Sequence, residues 1–232
     1  MKYSLLKSIP YAIVAALFIL PAVATAGGMS LSGTRIIYPL ESSQVSVSVR
    51  NTSDKTTYLV QSWAEDLEGS KTKDFIITPP LFSSSPGNEN KLRIIYTGKH
   101  LPSDHESLYY FNNKAIPSIN KKDLNGKNAL IFAAITRVKL FVRPAGLKPS
   151  PEEAPESLNF KKLGDKLEIS NPTPYYLTIT NLKSGNKNLK DTMISPFGKE
   201  IITLPAGTSS NLTFSTINDY GAITESINKT IK

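Results

Sequence analysis

Val45-Ser46-Val47-Ser48-Val49-Arg50 sets three valines against two serines and an arginine at a strict period of two. Successive side chains of a strand point to opposite faces, so this pattern builds a strand with one face buried and one wet. Asn51-Thr52-Ser53-Asp54 follows as a turn cluster, and Thr56–Trp63 reads as the next strand. Working outward, Phe75–Thr78, Lys91–Tyr96, Ser107–Asn112 and the long run Ala129–Val142 are further strands. Gly69-Ser70, Pro79-Pro80, Ser85-Pro86-Gly87-Asn88 and Pro102-Ser103-Asp104 punctuate them. Many short strands with frequent turns, and no apolar helical face beyond the N-terminus, predict an all-β sandwich.

Proline and glycine break the pattern at Ala145-Gly146-Leu147-Lys148-Pro149-Ser150-Pro151, which places a domain boundary there. Strands resume at Leu158–Phe160, Leu167–Ser170, Tyr175–Asn181, Glu200–Leu204 and Asn211–Ser215, predicting a second, smaller sandwich. The expected division is 1–26, 27–145 and 146–232. The first segment has a short basic start with Lys2 and Lys7, an apolar run from Ile9 to Val23, and Ala24-Thr25-Ala26 before Gly27. Together these make a secretory signal peptide cleaved near Ala26. The alternative is a membrane anchor, but the run is short for a span of about 20 residues and Pro10 and Pro21 break it.

Cleavage removes two lysines and no acid, taking the net charge from +8 to +6. The remaining lysines are scattered rather than gathered with aromatics, so a solvated basic surface is expected and nucleic acid is not. The 232 residues contain no cysteine, which excludes a disulfide framework, thiol catalysis and cysteine-ligated metal.

Nothing in the sequence assembles a catalytic or metal site. Only His100 and His105 are present, in a turn-rich segment, and no cysteine or carboxylate cluster with useful spacing completes a metal site with them. There is no G-x-S-x-G elbow and no phosphate-cradling glycine loop. Glu65-Asp66 and Glu152-Glu153 are adjacent pairs, and on a strand their members would diverge. A non-enzymatic protein without cofactor or ATP is expected.

The unusual stretch is Asn128 to Pro144. From Leu130 to Ile135 both alternating sets are apolar: Leu130, Phe132 and Ala134 on one side, Ile131, Ala133 and Ile135 on the other. Two readings stand: a central strand covered on both faces, or an edge strand with a row of side chains left for a partner. Soluble proteins usually blunt such an edge, so keeping one implies a strand to lend. The polar segment Ser118–Lys127 before it reads as a loop, either shielding that edge or simply solvated.

Several stretches resemble the periplasmic chaperones of the chaperone–usher pathway, those of type 1 fimbriae and P pili in particular. They are Thr34–Pro39, Tyr58–Trp63, Ile77–Phe82, Leu101–Leu108, Asn113–Pro117, Arg137–Pro144, Asn171–Tyr176 and Ile217–Ala222. The likeness runs in order along nearly the whole mature chain. It implies two immunoglobulin-like domains set at an angle, with a cleft between them and a client along the last strand of the first. The implied partners are pilus or fimbrial subunits (pilins and an adhesin) and an outer-membrane usher, in the periplasm. An open edge also offers a route to self-association when no client is bound, and the sequence leaves the free oligomeric state open.

By that resemblance, Arg35 on the first strand and Lys139 on the last strand of domain one anchor the subunit's C-terminal carboxylate. Leu130, Phe132 and Ala134 enter the subunit's groove, Ala134 being smaller than the residue usual there, while Ile131 and Ile135 face the chaperone's own core. Glu106, Arg143 and Asp219 form an interdomain ionic network, and His105 stands where the pattern often has arginine. The lack of cysteine and the short loop before the donor strand resemble the short-loop branch. Two other readings remain, a pilus subunit or adhesin and a secreted sandwich hydrolase. Two complete domains without cysteine weigh against the first, and the empty catalytic search against the second.

Overall fold

A computed structural model describes residues 27–119 and 130–231. The leader read at 1–26, the bulk of the polar segment (120–127) and Ala129 lie outside the described residues. The first domain contains β1 (Met29–Leu31), β2 (Arg35–Pro39), β3 (Val45–Asn51), β4 (Tyr58–Glu65), β5 (Phe75–Thr78), β6 (Leu81–Ser84), β7 (Glu89–Tyr96), β8 (Ser107–Pro117) and β9 (Ala134–Arg143). One sheet has the order β1-β3-β7-β5 and the other β2-β9-β8-β4-β6. The alternation at Val45–Arg50 does what its period demands. Val47 and Val49 are buried while Arg50 is exposed, and β3 pairs antiparallel with β1 and β7.

Between the sheets lie Tyr38, Val49, Val60, Leu92, Ile94, Phe111 and Leu140, each nearly or fully buried. Tyr38, Phe75, Tyr96 and Tyr109 add edge-on aromatic contacts, the closest being Phe75–Tyr109 at 4.9 Å between ring centroids. Each fully buried large side chain contributes about 1.5–3 kcal/mol, so a core of this kind can hold a sandwich without disulfides.

The chain crosses from one sheet to the other between β1 and β2. Arg35 therefore stands on the second strand, not the first, because the opening strand is divided between two sheets. β2 pairs parallel with β9, and that pairing is what places Arg35.

The second domain holds a 3₁₀ turn at Ala154–Ser157, then β10 (Asn159–Leu163), β11 (Lys166–Ser170), β12 (Leu177–Ser184), β13 (Lys187–Asn188), β14 (Thr192–Ile194), β15 (Lys199–Thr203), β16 (Asn211–Thr216) and β17 (Ile227–Thr230). A three-stranded sheet, β10-β11-β15, covers a sheet of order β13-β12-β16-β17, with β14 also on β12. Leu167, Ile169, Ile179, Ile194, Leu212 and Phe214 fill the space between. The architecture is two immunoglobulin-like sandwiches: the strand spacing predicts the sandwiches, and the family resemblance their immunoglobulin-like form.

Candidate functional site

β9 is the element that matters most. Antiparallel β8 covers one edge along its length from Ala134 to Val142. On the other edge, β2 pairs only with Lys139–Arg143. The edge from Ala134 to Val138 is thus left without a strand among the described residues, and it ends where β2 begins, with Arg35 opposite Lys139. A strand added to that edge would lie in line with β2 and stop at Arg35.

Phase along β9 separates core from cleft. Val138, Leu140 and Val142 enter the core, so Lys139, Phe141 and Arg143 share the opposite face. Upstream, Ala134 and Thr136 keep the core phase yet are exposed, so β9 runs beyond the rim of its own sandwich. Leu130 and Phe132 precede the strand and are 80% and 76% exposed. Ile131 and Ile135 do not face the chain's own core. They are 50% and 54% exposed, and Ile135 is in phase with Arg137 and Lys139 on the outer face.

Arg35 and Lys139 meet across β2 and β9, and each reaches toward the second domain. Arg35 Nη1 donates to Ile217 O at 2.9 Å, while its Nε is buried with no hydrogen-bond partner among the described residues. Lys139 Nζ donates to Thr178 Oγ1 at 3.3 Å. Burial first, then the neighbouring Arg35 charge, holds the Lys139 ammonium below the ordinary lysine range. Burial also lowers Arg35, against the opposing pull of Asp219 and Glu106. This is a pair of like charges, partly desolvated and set side by side.

Deeper in the cleft, Arg143 joins the domains. Its Nε donates to Glu106 Oε1 at 2.6 Å, and Nη1 and Nη2 donate to the two Asp219 oxygens at 2.6 and 2.7 Å. Glu106 Oε2 accepts from the Tyr176 N–H at 2.8 Å, and the Glu106 N–H donates to Pro174 O at 2.9 Å. Burial opposes the Arg143 charge, but the Asp219 hydrogen bonds and the Glu106 charge hold its pKa above the ordinary arginine value. Glu106 is pushed up by burial, and the Arg143 charge and the Tyr176 N–H pull it back only in part. The two directions are compatible. The pair keeps Arg143 protonated, while a carboxylate side chain only 2% exposed still pays for lost water.

His105 lies outside this network. Its Nδ1 is 2.7 Å from Asp104 Oδ1, and its ring meets Phe197 of the second domain edge-on. Thr178, the Tyr176 N–H and the Ile217 carbonyl were not foreseen as partners of the site, although Tyr176 and Ile217 lie in stretches that carry the family likeness. Two of them act through backbone atoms, which side-chain pattern cannot reveal.

Residues 28–148 match the family described as pili and flagellar-assembly chaperone, PapD N-terminal domain, and residues 153–228 match the pili assembly chaperone PapD C-terminal domain. The chain belongs to the pili-assembly chaperone family. This chaperone is 48% identical over 199 residues to the probable fimbrial chaperone SfmC of Escherichia coli K12, covering 86% of each chain. Among solved structures it resembles the periplasmic chaperone SfaE, with 47% identity, a TM-score of 0.76, and coverage of 88% of this chain and 100% of that one. It also resembles a chain of the Salmonella enterica SafA pilin–SafB chaperone complex, with 27% identity, a TM-score of 0.80, and coverage of 91% and 100%. The family is one of chaperones for pilus assembly, not of enzymes.

Proposed function

We propose that this chaperone works in the periplasm, lending the chain around Phe132 and β9 to an incomplete pilus subunit and delivering that subunit to an outer-membrane usher. The observation that carries this is the β9 edge left without a strand among the described residues and terminated by two cations. A subunit strand on Ala134–Val138 extends the sheet, and its C-terminal carboxylate arrives between Arg35 and Lys139. Charge-assisted hydrogen bonds of this kind contribute about 1.5–3 kcal/mol each. They also fix the register, because the strand must end at the cations. Among the described residues the buried Arg35 Nε has no hydrogen-bond partner, which leaves that guanidinium with an unsatisfied donor in the free chain.

Leu130, Phe132 and Ala134 are the residues for the subunit's groove. The exposure of Leu130 and Phe132 supports this, since large apolar groups held in water gain about 1.5–3 kcal/mol each when a partner buries them. Glu106, Arg143 and Asp219 hold the two domains at the angle the cleft needs. We place the domain boundary at Ala145/Gly146, supported by Leu147 packing on the second core. Export through a leader at residues 1–26 rests on the sequence, and SfaE is itself named a periplasmic chaperone.

The test is co-expression with the subunits of the neighbouring fimbrial operon and recovery of complexes. Arg35→Ala and Lys139→Glu are expected to fold normally and yield no complex. Wild-type recovery from both would remove the carboxylate anchor from the proposal.

A further inference from the structure

Beside Arg35 the cleft opens into a pocket of about 180 Å³ that Lys139 does not line. Phe141 of the first domain and Tyr176 of the second stand against each other in its wall, with ring centroids 5.8 Å apart. Tyr175, Leu177 and Ile217 complete a largely apolar lining. An apolar cavity of about 150 Å³ is enough to hold a benzene ring.

Tyr220 stands at this pocket 91% exposed. It is displayed by a tightly built turn. Asn218 Oδ1 accepts from the Tyr220 and Ala222 N–H groups, and the Gly221 N–H donates to Asn218 O. Gly221 has φ +81°, and a Cβ there would strike Thr34 Oγ1, so the turn is pinned against the residue before Arg35. The result is an exposed aromatic on a fixed turn, next to the point where a guest strand would end.

We infer that this pocket receives the side chain of the subunit's last residue, and that it selects an aromatic or branched aliphatic one. The inference rests on the carboxylate anchor proposed above. A carboxylate at Arg35 leaves the terminal side chain beside the pocket mouth, and Tyr220 is placed to cover it. Arg35 and Arg143 are set against Glu152 and Asp219 in the lining, so neither sign of charge is favoured there, and a charged side chain of either sign would lose its water on entering.

Binding of fluorescein-labelled strand peptides tests this, with one sequence ending in Phe, Ala, Asp or Lys and each made as free acid and as amide. The Phe-ended acid is expected to bind about tenfold tighter than the Ala-ended acid, with Asp and Lys weaker still. Tyr220→Ala is expected to shrink the Phe preference to about threefold without changing the Ala-ended affinity. Equal binding of all four acids, with the amides much weaker, would overturn the pocket and leave the anchor standing. Equal binding of acids and amides would overturn the anchor, and the pocket with it.

Discussion

Lys139 shows at the level of one side chain what the proposed anchor costs the free fold. Its pKa is held below the ordinary lysine value of 10.5, chiefly by burial, so the fold holds its charge less favourably than the unfolded chain does. The unfolded state then binds more protons than the folded state at pH values between the lowered value and 10.5, and stability rises with pH through that window. Replacing the charge while keeping the methylene stem, as in Lys139→Met, is expected to raise the Tm of the free protein by about 1–2 °C. The same variant is expected to lose subunit complexes, and differential scanning calorimetry beside pull-down reads both. A docked carboxylate reverses the sign by stabilising the charged form of Lys139. Subunit affinity is therefore expected to hold through neutral pH and to fall as pH rises from the lowered value toward and past 10.5, by up to about tenfold per unit. An affinity unchanged up to pH 10.5 would show that Lys139 does not carry the contact.

At the scale of the strand, exposure decides what each apolar residue is for. Leu130 and Phe132 bury little in the free chaperone, so Leu130→Ala and Phe132→Ala are expected to change its stability by less than about 0.5 kcal/mol. Each is expected to weaken subunit binding by about 10–100-fold, read by titration against a refolding subunit. A large loss of free-state stability would mean that these side chains are core after all. Much of this was legible in advance. The valines of β3 declared their strand because alternation and burial coincide there, and Phe75–Thr78 was read with its true ends. β6 was hidden because Leu81–Ser84 lies between Pro79-Pro80 and Ser85-Pro86 and looks like continuous turn. β2 was hidden because Ile36-Ile37-Tyr38 before Pro39 shows no alternation. The double apolar phase from Leu130 to Ile135 left a covered strand and an edge strand both open, and the family likeness gave the wrong direction for Ile131 and Ile135. Only the register with β8 and β2 fixes which phase belongs to the core, and no local pattern records a register between distant strands. The pairing of Arg35 with Lys139 came from family likeness for the same reason.

The proposed function needs the two sandwiches to keep their angle, and Arg143 with Glu106 and Asp219 is the ion-pair network that joins them. Truncating one member of a buried ion pair leaves the other charge stranded, at a cost of about 3–5 kcal/mol. Glu106→Ala is the most damaging choice, because it strands Arg143 Nε and the Tyr176 N–H together. Since neither sandwich core contains Glu106, the expected loss is of the docking between domains. Hydrogen exchange should accelerate at Tyr176 and the residues around Asp219 while both cores stay protected. Glu106→Gln keeps an acceptor for one of those donors and is expected to stay within about 1 kcal/mol of wild type. The pH dependence gives an independent check. The folded pKa of Glu106 is raised above 4.5, chiefly by burial. The folded state then holds the proton more tightly, so this group's contribution to stability is complete below about pH 4.5 and is lost as pH rises through the raised value. Mild acid should therefore strengthen the domain junction of wild type relative to Glu106→Gln, in which nothing titrates at that position. Denaturant unfolding at pH 7 and near pH 5 compares the two proteins. A wild-type junction that weakens on acidification by more than that of Glu106→Gln would mean that the ion pair with Arg143 outweighs the burial of Glu106.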